Sequence, residues 1–199
     1  MFTAFSVIIA VTNDSWRLFL RTHDFLYFIA LIVSLVAIYT LSCYPNIARQ
    51  VPVNYILLAA FTVCEAYLIS TMTTMFTATS VLNAAIMTAA IVIGLTAYAF
   101  TTDTDFTYQG ASLFMALAGL SVATIFGIFF DSKVYDMIVS FLGACIFGLY
   151  LIYDTQLIMG GSGKAAQYSI DDYIMAAVNV YIDVIQIFIE ILRLIGDRR

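Results

Sequence analysis

Four acidic residues, Glu65, Asp154, Asp183 and Glu190, stand inside long apolar runs of this chain. A carboxylate at the centre of a bilayer costs on the order of 3 kcal/mol on insertion scales, so acids at that depth face a cavity or a partner. The last apolar run carries Asp172, Asn179, Asp183, Gln186 and Glu190, spaced by 7, 4, 3 and 4. At helical periodicity these fall on one narrow stripe, and the rest of the run is Ile, Val, Ala, Tyr, Phe and Leu. Such a stripe predicts a helix that faces the interior of a bundle. Asn179 and Gln186 suit hydrogen bonds that join helices. The acids exceed that need, because joining helices does not require ionisable groups.

Asp154 sits near the end of the preceding run, in Tyr150-Leu151-Ile152-Tyr153-Asp154-Thr155-Gln156. Consecutive helices joined by a short loop are usually antiparallel neighbours. Asp154 lies roughly 17 residues before the end of that loop and Asp183 about 11 after it, which permits contact at comparable depth. Two carboxylates in a low-dielectric site cannot both ionise cheaply, so a touching pair shares a proton. Such a pair senses pH. Deprotonated, it is an oxygen-rich attractor for a hard cation, so Asp154 and Asp183 are also candidate transient ligands for calcium. For Glu65, in Phe61-Thr62-Val63-Cys64-Glu65-Ala66, two readings stay open: a pore-lining carboxylate and a buried neutral acid. Glu190, Asn179 and Gln186 are candidates for lining or supporting the same path.

The elements that position these groups must lie in a membrane. Of 199 residues 63% are hydrophobic and 11% charged, with a mean hydropathy of +0.99. A soluble domain has roughly 45–50% apolar and about 25% charged residues, and a globule this apolar could not cover itself with polar groups. The composition excludes a soluble enzyme, and a net charge of −5 leaves no basic footprint for nucleic acid. The expected partner is the lipid bilayer.

A spanning helix needs about 20 mostly apolar residues. The runs that qualify are 24–44, 54–76, 79–101, 110–130, 134–159 and 172–195. The fold class predicted is therefore an all-α polytopic bundle, a single transmembrane domain over 1–199. Residues 1–12 are apolar but too few to cross. They are expected to form the second half of a first helix whose beginning is missing, ending at Asn13-Asp14-Ser15. Arg17, Arg21, Lys133, Arg193, Arg198 and Arg199 fall on one side of this arrangement, Arg49 and Lys164 on the other, which favours a cytosolic C-terminus.

Other motifs carry less. The segment Gly160-Gly161-Ser162-Gly163-Lys164 fails as a phosphate loop, since Ile158 holds the first glycine position and Ala165 follows Lys164. It is expected to be a loop. The prolines, Pro45 and Pro52, flank one connection and kink no span. Asn13-Asp14-Ser15 matches a glycosylation sequon at a membrane edge. Cys43, Cys64 and Cys145 form neither a disulfide framework nor a metal spacing and are expected to be small buried hydrophobes.

Two of these stretches carry a family resemblance. Tyr153-Asp154-Thr155-Gln156-Leu157-Ile158-Met159-Gly160 resembles the D-T-Q-L-L-x-G signature of the Bax inhibitor / lifeguard family. The segment from Asp171-Asp172-Tyr173 through Asn179-Val180-Tyr181-Ile182-Asp183 to Gln186-Ile187-Phe188 is similar to its E-E-Y-x-x-A-x-N-L-Y-x-D-I-I-N-L-F signature. Asp105-Phe106-Thr107 and Phe61-Thr62-Val63-Cys64-Glu65 match further family positions, and the likeness is closest to the Golgi anti-apoptotic and lifeguard branch. The resemblance implies seven helices with the last at the centre, a calcium leak from intracellular stores, and restraint of cell death. It implies a place in the Golgi or endoplasmic reticulum membrane, calcium as permeant ion with no cofactor, and partners in the cell-death machinery. It also implies that Asp154 and Asp183 match the family's pH-sensing pair. Arg49 is the nearest match to a basic residue that closes that pair in bacterial relatives.

Three function classes then stand side by side. The first is a cation leak gated by protonation. The second is an intramembrane aspartyl protease, which also carries Tyr-Asp on one helix and Asp on the next. Those enzymes use G-x-G-D and a later Pro-Ala-Leu, whereas here the second aspartate follows Val180-Tyr181-Ile182 and no proline follows Pro52. The third is a scaffold that regulates other membrane proteins and conducts nothing.

Overall fold

A computed structural model describes residues 1–130, 132–160 and 167–198 of the chain. Nine α-helices and no strand occur among these residues: α1 (Phe2–Thr12), α2 (Asp14–Thr22), α3 (Asp24–Cys43), α4 (Pro45–Ala48), α5 (Val53–Thr73), α6 (Ala78–Thr101), α7 (Gly110–Gly127), α8 (Lys133–Met159) and α9 (Tyr173–Ile195). Six of them, α3 and α5 to α9, are long and apolar enough to cross a membrane, and α1 is a shorter apolar helix. Their ends fall within a few residues of the boundaries expected from hydropathy. The large apolar side chains of these helices are widely exposed, with Phe25 at 74%, Ile93 at 70% and Phe114 at 69%. A water-soluble protein does not present such a surface.

The chain divides into two compact units, Met1–Val81 with Asp197–Arg199, and Leu82–Gly196. In the first, α1 and α3 both pack on α5. The buried positions explain how. On α3 they are Ala30, Ser34, Ala37 and Leu41, and on α1 they are Thr3, Val7 and Ala10. Each set repeats at three- or four-residue steps and is mostly small, which lets backbones approach where lipid supplies no hydrophobic drive. Polar pairs cross these seams: Ser6 Oγ lies 2.8 Å from Ser70 Oγ, and Ser34 Oγ donates to Glu65 Oε1. Both prolines sit where a missing N–H costs nothing, Pro45 in the first turn of α4 and Pro52 at the N-cap of α5. The Asp197 backbone carbonyl accepts from Thr77 N at 3.1 Å, and Asp197 N donates to Ser80 Oγ at 3.0 Å.

In the second unit α8 packs on both α7 and α9. Of the six long helices α9 has the largest buried share, 44%, as its polar stripe predicts. Gly160 ends α8 with φ +58°, a conformation that side chains with a Cβ rarely adopt. The attempted phosphate-loop motif falls largely on residues 161–166, outside the described residues.

The cysteines differ from expectation. Cys43 and Cys145 are exposed and Cys64 is half-buried; none is in a disulfide. An apolar run in a membrane helix meets lipid as well as protein, so hydrophobic surroundings in sequence do not imply burial.

Candidate functional site

Helices α8 and α9 bring Asp154 and Asp183 together. Each is 4% exposed, and their carboxyl groups are hydrogen-bonded to one another. A hydrogen bond between two carboxyl groups would require a proton on one of them. Asp183 Oδ2 is buried with no hydrogen-bond partner among the described residues.

The two helix ends are not level. Asp154 lies about 7 Å from the end of α8 and Asp183 about 15 Å into α9, at 1.5 Å per residue. The first turns of α9 therefore extend beyond α8, and the chain before α9 folds into that step. Tyr168 N donates to the Leu157 carbonyl at 3.0 Å. The Tyr168 hydroxyl accepts from Asn179 Nδ2 at 2.6 Å and is hydrogen-bonded to Asp154. Burial, reinforced by the nearby Asp154 charge, pushes this phenol above its ordinary range, which keeps it a proton-bearing donor toward the carboxylate. Tyr168 was not singled out from sequence, because it precedes the helix and its spacing to Asp154 signals nothing.

Asn179 thus reaches the pair through Tyr168. Gln186 is half-buried one turn beyond Asp183. Glu190, two turns beyond Asp183, makes a separate buried contact. It is 5% exposed, hydrogen-bonded to Ser140, with Oε1 3.6 Å from Arg193 Nη1 and Oε2 without a hydrogen-bond partner among the described residues. Its side chain lies on Gly143 of α8, where an added Cβ would come within 2.9 Å of Cγ and Cδ. Gly143→Ala is accordingly expected to lower stability, since overpacking costs roughly 1–3 kcal/mol. In a Glu190→Ala background the same substitution should stabilise by about 1 kcal/mol through helix propensity. Unfolding of the four variants in detergent checks this change of sign.

Glu65 and Arg49 belong to the first unit. Glu65 is half-buried on α5 with the Ser34 hydroxyl as donor, so the acid has a neutral partner at its own depth. Arg49 is exposed at the C-cap of α4.

A further buried polar side chain was missed in the sequence. Gln156, 0% exposed, accepts from Phe106 N at 2.8 Å and donates to the carbonyls of Thr104 at 3.0 Å and Ala99 at 3.5 Å. It closes the C-terminal end of α6, whose last carbonyls lack partners within the helix. Asp105 caps the short 3₁₀ turn that follows, accepting from Thr107 N at 2.9 Å. The four acids do not gather into a metal cage, and no group of three or more His, Cys, Asp or Glu occurs among the described residues.

The profile of the family described as Inhibitor of apoptosis-promoting Bax1 matches residues 1–199. The chain is 37% identical over 142 residues to protein lifeguard 4 of Mus musculus, a match covering 71% of this chain and 57% of that protein. It is 34% identical over 187 residues to protein lifeguard 3 of Homo sapiens, covering 90% and 58%. It is 29% identical over 182 residues to the Golgi anti-apoptotic protein of Vaccinia virus (strain Lister), covering 92% and 73%. The chain spans less than two thirds of the length of the two lifeguard proteins. With six helices fit to cross a bilayer and a profile match over its whole length, this integral membrane protein belongs to the Bax-inhibitor family.

Proposed function

We propose that the chain is a proton-gated calcium leak of an intracellular membrane, Golgi or endoplasmic reticulum, that restrains cell death and carries out no enzymatic reaction. The observation that carries this reading is the Asp154–Asp183 contact, buried between α8 and α9, with Asp183 Oδ2 unpartnered among the described residues. With the shared proton in place the pair carries a single negative charge and forms a closed, hydrogen-bonded clasp between two helices. Losing the proton puts two like charges in contact, which weakens the clasp and creates an oxygen site for a cation. One event thereby favours both helix separation and calcium entry. Supporting residues are Tyr168 and Asn179 beside Asp154, Gln186 and Glu190 further along α9, and Glu65 on α5. Arg49, exposed on the first unit, is the proposed basic residue of gating.

The cellular part of the reading draws on the relatives' names, one of which is a Golgi anti-apoptotic protein. Those names favour cell-death regulation equally if the chain is a non-conducting scaffold for membrane proteins of that machinery. Reconstitution separates the two. Vesicles loaded with calcium and carrying only this chain should lose it faster than protein-free vesicles; equal retention would leave the scaffold.

A further inference from the structure

Helix α2 is the one amphipathic element that the leak reading does not use. It follows α1 through Asn13, whose Oδ1 accepts from Ser15 N at 3.0 Å and Trp16 N at 3.2 Å, and it runs into the α3 span through His23. Its two arginines, one turn apart, both bond back to the protein, Arg17 half-buried and Arg21 exposed. Arg17 Nη2 donates to the Val11 carbonyl in the last turn of α1, and Nη1 to Asp14 Oδ1 at 2.7 Å. Arg21 Nη2 donates to the Thr74 carbonyl at 2.6 Å and Nε to Thr74 Oγ1 at 3.3 Å, just past the end of the α5 span. Carbonyls at a helix C-terminus lack partners and carry partial negative charge, so both guanidinium groups are well matched to these ends. Leu20 is 1% exposed beneath them. Helix α2 therefore crosses the ends of α1 and α5 at the level where α3 begins.

The flank it leaves free is aromatic. The rings of Trp16 and Phe19 stack with centroids 5.2 Å apart, and those of Phe19 and His23 lie 4.3 Å apart. Trp16 is 37% exposed, and the helix that follows presents Phe25 and Phe28, 74% and 59% exposed, on a membrane-spanning segment. Aromatic rings with a polar edge concentrate where headgroups meet acyl chains, and short amphipathic helices lie in that plane.

We propose that α2 lies in the plane of the membrane interface, seated at the boundary between headgroups and acyl chains by the Trp16–Phe19–His23 ladder and not by its arginines. The lipid recognised is the bilayer interface itself, without a requirement for anionic headgroups, because both guanidinium groups are engaged by backbone carbonyls. Trp16 is the single tryptophan of the chain, so its emission reports this position without any substitution. The full chain is reconstituted in phosphatidylcholine vesicles whose lipids carry bromine either shallow or deep along the acyl chain, and aqueous iodide is used as a third quencher. The greatest loss of Trp16 emission is expected with shallow bromine, and that order should not change with added salt or with phosphatidylserine in place of part of the phosphatidylcholine. Greatest loss with iodide would put α2 in water, and greatest loss with deep bromine would put it in the hydrocarbon core. Either result overturns the proposal, as does an order that changes with salt or phosphatidylserine, which would mark electrostatic docking.

Discussion

Gln156→Leu is expected to destabilise the protein by roughly 3 kcal/mol, because each buried polar group left without a partner costs about 1–3 kcal/mol. The substitution keeps the volume of a fully buried side chain and removes only its hydrogen bonds. Phe106 N then loses its acceptor, and the Thr104 carbonyl, in the connection after α6, loses its donor. Gln156→Glu should cost less, since a neutral carboxyl still accepts from Phe106 N. Asp154 and Gln156 are two residues apart on α8 and point about 200° from each other, so the substitution should not change the pH dependence of any flux. Unfolding in detergent measures the stability; a Leu variant as stable as the parent would show that water replaces these bonds.

Much of the arrangement was legible in the sequence, for identifiable reasons. Each long helix is mostly apolar over about the thickness of a bilayer's hydrocarbon core, so composition alone placed α3 and α5 to α9. The stripe from Asp172 to Glu190 pointed to a helix inside the bundle, and α9 also buries apolar residues on its opposite side, Ile174, Val178 and Leu192 among them. Residue counting allowed Asp154 and Asp183 to meet but assumed level helix ends. It could not show the step that Tyr168 fills, which depends on how residues before α9 fold back onto Leu157. Gln156 lay within a motif yet gave no sign of its partners, since these are backbone groups about 50 residues away and any sequence supplies those. Gly143 likewise reads as a lipid-compatible small residue until Glu190 is seen lying on it. The arginines of α2 counted toward membrane orientation, while their contacts with the ends of α1 and α5 follow from packing alone.

The largest functional effect is expected at the aspartate pair. Asp183→Asn should lower calcium flux by at least roughly tenfold, the equivalent of about 1.4 kcal/mol of lost cation attraction, and flatten its pH dependence. Asp154→Asn should do the same. The double variant should add little, because groups that share one proton titrate as a unit and their effects do not sum. A pair that serves only to join the helices would tolerate Asn, which forms the same hydrogen bonds, and would leave flux unchanged. Additive losses from the two single variants would mean independent sites and contradict the shared proton.

The sign of the pH effect follows from the charge. A pair that holds one proton clasps α8 to α9 with a single negative charge, whereas the fully deprotonated pair carries two, attracts a cation more strongly and pushes the helices apart, so conduction belongs to the higher-pH form. The most direct measurement is calcium efflux from vesicles containing only the purified chain, recorded as pH on both sides is stepped from acid to alkaline. Efflux is expected to rise with pH in the parent chain and to lose that rise in the Asp154→Asn/Asp183→Asn variant. Efflux that is absent at every pH, or that rises equally with both aspartates removed, would contradict the account.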